Sequence, residues 1–334
     1  MAKLRFGVIS TANIGRNQVN PAIQSARNAE LVAVASRDPE RARDFAAKGS
    51  IPRCHGSYEA LLDDPEIDAV YIPLPNSMHR EWAIRAAEKR KHILCEKPLA
   101  LTATECGQMQ AAADSNGVIL MEAFMYRFHP RTEKLLDLVT SGTVGKIRVI
   151  RSAFTFKLVR ADNIRFFPEL GGGALYDLGC YCVDASRRIA GAEAVEAQAF
   201  ADWNDKGVDT QLTGTLRFAN GVVAQFDCSF MMERREFVEA AGTDGAVTSA
   251  SGTFVNSTDE VEILQYRGRE PEIVHEVKGD NHYRLMVEHF ADVVQGKAAL
   301  RYGTPHSISN LAAIEALYQS ARSGGRPVPV RASR

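Results

Sequence analysis

Apolar residues occur in short, nearly continuous runs along the first 125 residues of the chain. The runs are Leu4–Ile9, Leu31–Ala35, Ala69–Ile72, His92–Cys95 and Val118–Met121. Such runs are typical of strands that are buried on both faces of a parallel sheet. Helical stretches lie between them, with predicted caps at Asp38, Ser57, Ser77 and Thr102. Alternating strands and helices predict an α/β fold with a doubly wound parallel sheet of the Rossmann type.

The pattern changes after residue 125. Helices are predicted at 130–141, 171–188, 282–294 and 307–323, and strands at 146–157, 195–203, 210–218, 222–230, 237–241 and 260–266. Asn220-Gly221, between two of these strands, is a strong signal for a hairpin. We therefore predict a Rossmann domain over residues 1–124. A second, α+β domain with a large, mainly antiparallel sheet is predicted over residues 125–334.

Composition excludes several classes of protein. The 334 residues are 45% apolar and 24% charged, which predicts a packed globular chain of about two domains. A net charge of −1 with interspersed signs gives no reason to expect nucleic acid as a partner. No stretch is long and apolar enough for a membrane span or a secretory signal, so we expect a cytoplasmic protein that does not bind membranes.

The six cysteines do not form a pattern that binds metal. The one close pair, Cys180 and Cys182, would point in different directions on a helix. No Cys-x-x-Cys motif or histidine-rich cluster is present either, so no metal site is predicted and the thiols are expected to be reduced.

The loop after the first strand carries the first candidate binding site. A dinucleotide fingerprint places glycines where this chain has Ser10, Ala12 and Gly15. Only one of the three is glycine, so an ordinary strand–turn–helix with small residues is an alternative. The loop nevertheless opens a helix whose N-terminus suits a pyrophosphate. The residues predicted to bind it are Ser10, Thr11, Ala12, Asn13, Ile14 and Gly15.

The end of the second strand indicates which dinucleotide is bound. An NAD site would place an acidic residue there to hold the ribose 2′-hydroxyl. This chain has Ser36 and Arg37 instead, with Arg41 one turn into the next helix, and these suit a 2′-phosphate. Asp38 is interpreted as a helix cap. The predicted cofactor is therefore NADP(H).

Two further segments are predicted to adjoin this site. The loop after the fourth strand contains Pro73, Leu74, Asn76 and His79, and His79 is interpreted as a cofactor contact rather than a catalyst. Arg127, in the segment that connects the predicted domains, is a candidate substrate contact. An ion pair between the domains is the alternative for Arg127.

A lysine, an acid and a phenol make up the candidate catalytic set. Glu96 and Lys97 end the strand that begins at His92, whereas Asp177 and Tyr181 lie four residues apart on a predicted glycine-opened helix. Oxidation of a hydroxyl group releases a proton as the hydride leaves. Because a free phenol has a pKa of about 10, Tyr181 needs a cation such as Lys97 in order to act near neutral pH.

The roles within this set stay open in the sequence. Either Tyr181 or Lys97 can be the proton carrier, with the other residue stabilising or hydrogen-bonding the oxygen. Asp177 can orient Lys97 or a substrate hydroxyl, or interact with the helix N-terminus. Asn163 and Arg165, in a polar loop before the helix, are candidate substrate contacts or part of a solvated loop.

Four segments together carry a family resemblance: Gly7–Gly15, Ile72–His79, Cys95–Pro98 and Gly171–Asp184. Over essentially its full length the chain resembles the glucose–fructose oxidoreductase/inositol dehydrogenase (Gfo/Idh/MocA) family. The tyrosine at position 181 resembles the branch of NADP-dependent D-xylose dehydrogenases and dimeric dihydrodiol dehydrogenases. The resemblance implies that Lys97 and Tyr181 lie near the nicotinamide and that Asp177 helps to arrange them. It also implies a C-terminal sheet with one face open for oligomer contacts.

These observations predict an NADP(H)-dependent oxidoreductase acting on a sugar or sugar derivative, as an aldose 1-dehydrogenase or a keto-sugar reductase. A trans-dihydrodiol dehydrogenase and a catalytically silent dinucleotide-sensing regulator are the alternatives. A regulator would be expected to lose Lys97 or Tyr181, and this chain keeps both. The expected partners are a carbohydrate or diol substrate and further copies of the chain, in a homodimer or larger homo-oligomer.

Overall fold

The structure is a computed structural model that describes residues 2–160, 162–250 and 252–331. In these ranges the strands are β1 (Leu4–Ile9), β2 (Ala29–Ala35), β3 (Arg53–His55), β4 (Ala69–Ile72), β5 (His92–Glu96), β6 (Leu120–Ala123), β7 (Ile147–Thr155), β8 (Ala194–Trp203), β9 (Asp209–Phe218), β10 (Val223–Ser229), β11 (Arg235–Gly242), β12 (Ala246–Ser249), β13 (Val261–Tyr266), β14 (Pro271–Val277) and β15 (Val328–Pro329). The α-helices there are α1 (Asn20–Ser25), α2 (Pro39–Lys48), α3 (Tyr58–Leu62), α4 (His79–Glu88), α5 (Ala103–Asn116), α6 (Pro130–Thr140), α7 (Cys180–Ala190), α8 (His282–Val294) and α9 (Thr304–Arg322).

The chain forms two compact units. Residues up to Met125 and Asn281–Ser307 form the first, and Tyr126–Asp280 with the residues from Ile308 onward form the second. The first unit differs from the predicted range 1–124 because α8 returns to it. Phe290 of α8 is fully buried and its ring lies 5.8 Å from that of Phe6 in β1. Burial of this apolar face holds α8 on the first unit.

The first unit contains a parallel sheet in the order β3-β2-β1-β4-β5-β6. This order confirms the predicted doubly wound fold. The central strands are buried on both faces, as their continuous apolar runs predicted: Phe6, Val8, Val70, Ile72 and Ile93 are all 0% exposed.

Three of the four predicted helix caps are confirmed. The side chains of Asp38, Ser57 and Thr102 accept backbone N–H groups at the first turns of α2, α3 and α5. The cap predicted at Ser77 is wrong, because a 3₁₀ turn over Asn76–Met78 precedes α4 and delays its start to His79.

The second unit contains a mixed sheet in the order β14-β13-β12-β11-β7-β10-β9-β8-β15. Its neighbouring strands are antiparallel except for β7 and β10, which confirms the predicted mainly antiparallel sheet. The predicted turn at Asn220-Gly221 joins β9 to β10, with a φ of 85° at Gly221. Helix α7 packs against β7 and β10, and α6 packs against β12 and β13.

No helix of the described ranges has the length and apolarity that crossing a membrane requires.

Candidate active site

The loops that leave β1, β2, β4 and β5 emerge at one edge of the parallel sheet, because the carboxyl ends of parallel strands share an edge. All the residues predicted from the sequence to bind the cofactor lie at or just beyond these strand ends. They belong to the first unit. The fold therefore gathers the predicted cofactor residues at the edge where doubly wound sheets bind ligands.

Ser10 ends the first of these strands in an unusual conformation. Its φ is 133°, in a region that favours glycine, and its side chain is buried. The Ser10 hydroxyl donates to the carbonyl oxygen of Pro73 at 3.2 Å and accepts the N–H of Ala12 at 3.2 Å. Serine here adopts the backbone of the missing fingerprint glycine, and its hydroxyl ties the β1 loop to the β4 loop.

The helix after this loop begins with a π turn over Gly15–Val19 and continues as α1. Pro21 lies just inside α1 and lacks the N–H that a regular helix would use, so the wider turn before it accommodates the proline ring. Thr11 and Gly15 are buried, Asn13 is exposed, and Ala12 and Ile14 are half-buried. The helix N-terminus thus begins directly behind the loop.

Ser36, Arg37 and Arg41 follow β2. The Ser36 hydroxyl is buried and accepts the N–H of Asp38, whose carboxylate caps α2. Arg37 and Arg41 are exposed, and within the described part of the chain their side chains have no hydrogen-bond or ion-pair partner. Two exposed guanidinium groups without a partner among the described residues therefore follow β2.

His79 was predicted to contact the cofactor, but its side chain is 0% exposed. Its Nδ1 lies 3.0 Å from the carbonyl oxygen of Pro98 and its Nε2 lies 2.9 Å from that of Leu74. Burial lowers the pKa of this imidazole. His79 therefore joins the β4 loop to the β5 loop from inside. Pro73 and Leu74 are buried, and Asn76 is half-buried.

Glu96 ends β5 and precedes the half-buried Lys97. Its carboxylate accepts the hydroxyl of Tyr71 at 2.6 Å and the backbone N–H of Lys97 at 3.3 Å. Burial and the adjacent carboxylate raise the pKa of Tyr71. Glu122, which the sequence did not indicate, accepts the N–H of Leu99 at 3.0 Å and the hydroxyl of Ser307 at 2.8 Å. These two buried carboxylates hold the backbone on both sides of Lys97.

The glycine-rich segment precedes its helix rather than opening it. Gly171 ends a 3₁₀ turn in the left-handed conformation, and the helical part begins only with a π turn over Leu175–Gly179 that runs into α7. A side chain at Gly172 would collide with the carbonyl group of Arg165. Gly172 is thus required by the close approach of the preceding loop.

Asp177 forms an ion pair with a second predicted site residue, Arg165. Nε of Arg165 donates to Oδ2 of Asp177 at 2.6 Å, with the Arg165 side chain 37% exposed and that of Asp177 15% exposed. Asn163 caps the turn by accepting the N–H of Arg165 at 3.1 Å. The structure therefore brings Asn163, Arg165 and Asp177 together.

Tyr181 lies one turn further along the helix and is 3% exposed. Its ring centroid lies 5.5 Å from that of Tyr126, 5.3 Å from that of Phe154 and 5.4 Å from that of Phe254. This packing fixes the orientation of the phenol.

Arg127 was predicted to contact substrate, but it is 1% exposed. It pairs with Asp184 of the same unit through Nε at 3.0 Å and Nη2 at 2.7 Å, and the Tyr126 hydroxyl also donates to Asp184. Burial raises the pKa of Asp184, but Arg127, Arg188 and Arg187 outweigh it and hold that pKa below its usual range. A guanidinium so enclosed anchors α7 rather than facing a substrate.

Asp184 is the partner that the sequence analysis missed. An aspartate three residues after Tyr181, within an otherwise buried stretch, was the available signal. In the described ranges, no group of three or more histidine, cysteine or acidic side chains is arranged to hold a metal ion.

Comparison with protein families gives two matches. The family described as "Oxidoreductase family, NAD-binding Rossmann fold" (GFO_IDH_MocA) matches residues 4–124. The "GFO/IDH/MocA C-terminal domain" matches residues 132–248.

Two curated relatives illustrate the range of activities. D-xylose 1-dehydrogenase (NADP(+)) 2 of Haloferax volcanii is 39% identical over 322 residues, which cover 96% of this chain and 98% of that protein. The trans-1,2-dihydrobenzene-1,2-diol dehydrogenase of Mus musculus is 37% identical over 245 residues, which cover 72% of this chain and 73% of that protein.

A solved structure extends the similarity to three dimensions. The 3-ketoreductase KijD10 from Actinomadura kijaniata, in complex with NADP and TDP-benzene, superposes with a TM-score of 0.89 at 27% identity. The match covers 95% of this chain and 98% of that chain. That enzyme has also been solved with substitutions of one tyrosine and of one lysine.

Proposed function

The chain belongs to the GFO/IDH/MocA oxidoreductase family, and on that premise we propose that it interconverts a hydroxyl and a carbonyl group on a sugar or sugar derivative with NADP(H). The observation that carries this proposal is the full-length similarity to an NADP-dependent D-xylose dehydrogenase. The chain also keeps both Lys97 and Tyr181, which a catalytically silent regulator would not need. Aldose 1-dehydrogenation and keto-sugar reduction are the activities that we propose first.

The residues at the carboxyl edge of the parallel sheet fit NADP(H). Arg37 and Arg41 offer two guanidinium groups that have no hydrogen-bond or ion-pair partner among the described residues, as a 2′-phosphate requires. The loop from Ser10 to Gly15 and the helix behind it suit the pyrophosphate. Pro73, Leu74 and Asn76 would line the cofactor. When bound, the cofactor supplies or accepts the hydride.

Other predicted cofactor residues act through the backbone. The buried imidazole of His79 holds the β4 and β5 loops together, and Glu96 fixes the backbone N–H of Lys97. Their substitution would therefore disturb the loops that are proposed to hold the cofactor.

Lys97 and Tyr181 are proposed to carry the proton transfer. In the oxidation, the substrate hydroxyl gives its proton to the catalytic base as the hydride leaves carbon. The ammonium of Lys97 would lower the pKa of the Tyr181 phenol and stabilise the developing alkoxide. In the alternative assignment, Lys97 carries the proton and Tyr181 hydrogen-bonds the substrate.

Asp177 is proposed to act through its ion pair with Arg165. The carboxylate pairs with the guanidinium, and the Arg165 side chain, which is 37% exposed, is proposed to face substrate hydroxyls. Asn163 keeps Arg165 in place by capping the same turn. This arrangement suits a ligand that is rich in hydroxyl groups.

Oxidation of a trans-dihydrodiol is the second candidate activity. The mouse enzyme named for this reaction is 37% identical to this chain over 245 residues, which supports this candidate.

We also propose a cytoplasmic homodimer or larger homo-oligomer. All six cysteines are free thiols, as a reducing compartment favours. The apolar side chains of Val195 and Phe200 in β8 are 46% and 61% exposed, which supports assembly through the nine-stranded sheet.

A screen of substrates with NADP⁺ and NADPH tests the proposed function. Aldoses, keto-sugars, inositols and trans-dihydrodiols are supplied in turn, and absorbance of the reduced cofactor is followed. We expect turnover of an aldose or keto-sugar above turnover of the diols. Absence of turnover with every sugar, alongside measurable binding of NADPH, would contradict the proposal.

A further inference from the structure

A buried carboxyl group lies beneath the glycine turn of the second unit. Asp209, the first residue of β9, is 1% exposed. Its Oδ2 accepts the backbone N–H of Leu175 at 2.7 Å, and its Oδ1 accepts the hydroxyl of Tyr318 at 2.6 Å. We infer that Asp209 is a positioning residue of the reaction, which sets the start of the helix that carries Asp177 and Tyr181. This inference rests on the proposed function.

The glycine turn is shaped around this carboxyl group. Gly173 has a φ of 134°, and a Cβ atom on it would collide with Oδ1 of Asp209 and lie 2.5 Å from the hydroxyl of Tyr318. The absence of a side chain at this position is what admits both groups. Gly173, the last glycine of the segment, therefore provides the space in which the Asp209 carboxyl group packs.

The same turn controls the position of the proposed site residues. Leu175, which Asp209 caps, begins the π turn that contains Asp177, and Asp177 donates its N–H to the carbonyl oxygen of Gly173 at 3.0 Å. Gly173 in turn donates its N–H to the carbonyl oxygen of Arg165 at 3.0 Å. A shift of the turn would consequently move both members of the Arg165–Asp177 ion pair.

Tyr318 connects the carboxyl group to α9. Its ring centroid lies 5.2 Å from that of Tyr176, the neighbour of Asp177, and 6.1 Å from that of Trp203. The guanidinium of Arg322 lies over both the Tyr318 and the Trp203 rings, at 5.5 Å and 5.4 Å. The cap is thus held from a second element, and Trp203 lies close enough to report on it.

The protonation state of the Asp209 carboxyl group changes in a pH range that is accessible to experiment. Burial raises its pKa to about 6, although the hydrogen bonds from Tyr318 and the Leu175 backbone oppose this rise. The groups that face it are Tyr318 from α9, Tyr176 beside it and the Cys228 thiol from β10, and burial raises the pKa of the Tyr318 phenol and of the Cys228 thiol. Only the ionised carboxylate accepts both hydrogen bonds at full strength.

Activity and stability should therefore respond to pH in opposite directions. Protonation weakens the cap, so kcat should fall as the pH drops below about 6. The pKa in the folded chain is raised, so the contribution of Asp209 to stability is fully present below its pKa in the unfolded chain and is lost as the pH rises through about 6.

The test compares Asp209→Asn with the parent and with Asp64→Asn. Asp64 is a matched control, since its carboxylate is also buried and pairs with Arg53 and His55 in the first unit. We expect Asp209→Asn to lower kcat by roughly 10- to 100-fold and to abolish the acidic limb of the kcat–pH profile, with the Kd for NADPH changed by less than about twofold. Asp64→Asn should retain the parental profile. A parental kcat with an intact acidic limb in Asp209→Asn would overturn the inference.

A second readout does not depend on turnover. The chain has two tryptophans, so Trp82→Phe leaves Trp203 as the sole indole. The fluorescence emission of Trp203 should show a transition near pH 6, and this transition should disappear when Asp209→Asn is added. Tyr318→Phe, which keeps the carboxyl group but removes one donor, should move the transition and the acidic limb to higher pH.

The two readouts separate failure of the inference from failure of the proposed function. An emission transition that Asp209→Asn removes supports the role of Asp209 even if no sugar is turned over. A transition that persists in Asp209→Asn overturns the inference even if the parent is an active sugar oxidoreductase.

Discussion

Ser10 shows how a single side chain can compensate for a departure from a motif. The backbone at this position favours glycine, and the serine hydroxyl offsets the strain with two hydrogen bonds. The sequence indicated that a small residue was needed here. It did not indicate the hydrogen bond to Pro73, because that partner lies 63 residues away.

Replacement of Ser10 should separate strain from hydrogen bonding. Ser10→Ala keeps the strain and loses both hydrogen bonds, so the free energy of unfolding should fall by about 1–2 kcal/mol. Ser10→Gly also loses the bonds but relieves the strain, and its loss should be smaller. Urea denaturation measures the free energy of unfolding of the two variants. An equal decrease in both would show that the backbone at Ser10 is not strained.

Arg37 is expected to determine the preference for NADP⁺ over NAD⁺. Its guanidinium is exposed and has no protein partner in the described ranges, so it is available to a 2′-phosphate. Charge-assisted hydrogen bonds contribute about 1.5–3 kcal/mol, so Arg37→Ala should lower kcat/KM for NADP⁺ by roughly 10- to 100-fold and leave that for NAD⁺ nearly unchanged.

The matched control is Arg43→Ala, which removes an exposed arginine of α2, the helix that follows Arg37; Arg43 pairs with Glu40. Equal losses of kcat/KM with NADP⁺ and NAD⁺ in Arg37→Ala would show that Arg37 does not bind the 2′-phosphate. An equal loss of kcat/KM for NADP⁺ in Arg43→Ala would show the same.

Two residues mark the limit of what the sequence could predict at this scale. His79 and Arg127 are polar residues near functional segments, and both were predicted to contact ligands. Both are buried on partners that the fold supplies, namely the carbonyl groups of Leu74 and Pro98 and the carboxylate of Asp184. Pro98 and Asp184 lie 19 and 57 residues from their partners and cannot be found from local patterns.

At the scale of elements, periodicity identified the long and strongly patterned strands and helices. The runs that gave β1, β4 and β5, and the helix α8, were predicted within two residues of their observed ends. Strands β3 and β15, of three and two residues, were missed, and so were β12 and β14. β12 has only four residues, and β14 is an exposed strand at the edge of its sheet, so neither shows a buried apolar face in the sequence.

The ion pair between Arg127 and Asp184 should stabilise the packing of α7. Its side chains are each 1% exposed, and loss of the carboxylate would leave a buried arginine without its partner. Asp184→Asn should therefore lower the free energy of unfolding by about 3–5 kcal/mol. Asp227→Asn, which breaks a more exposed pair with Arg235, should cost less than about 1 kcal/mol in the same urea experiment.

The pH dependence of the free energy of unfolding follows from the lowered pKa of Asp184. Stability from this pair is present above the pKa of an unfolded aspartate, about 4, and is lost as the pH falls through the lower pKa of the folded state. The stability of Asp184→Asn should consequently fall less between pH 4 and more acidic conditions than that of the parent. A parallel fall in both would contradict this role.

For the whole molecule, the sequence predicted two sheets of different kinds, and both are confirmed. It did not predict that Asn281–Ser307 returns to the first unit, because the apolar face of α8 does not itself indicate which sheet it covers.

The chain is predicted to assemble into a homodimer or larger homo-oligomer. Phe200 is 61% exposed on β8, and such a side chain favours contact with a second copy. Light scattering at micromolar concentration should give at least a dimer mass for the parent and a smaller mass for Phe200→Glu. Phe200→Leu, which stays apolar, should keep the parental mass. A monomeric parent would contradict the proposed assembly.

Tyr181 and Lys97 carry the central claim, that the chain is a hydroxyl–carbonyl oxidoreductase that uses a phenol and an ammonium for proton transfer. The burial of Tyr181 among three rings is also what a packing residue would show, so turnover must decide between the two roles. General acid–base catalysis contributes roughly 10²- to 10⁴-fold.

The most direct measurement is therefore single-turnover and steady-state kinetics of Tyr181→Phe, Lys97→Met and the double variant, with the Kd for NADPH measured in parallel. Each single variant should lose about 10²- to 10⁴-fold in kcat while binding NADPH nearly as the parent does, and the double variant should lose less than the product of the two. Near-parental turnover in Tyr181→Phe would make Tyr181 a packing residue and leave Lys97 as the acid, and near-parental turnover in both single variants would contradict the mechanism.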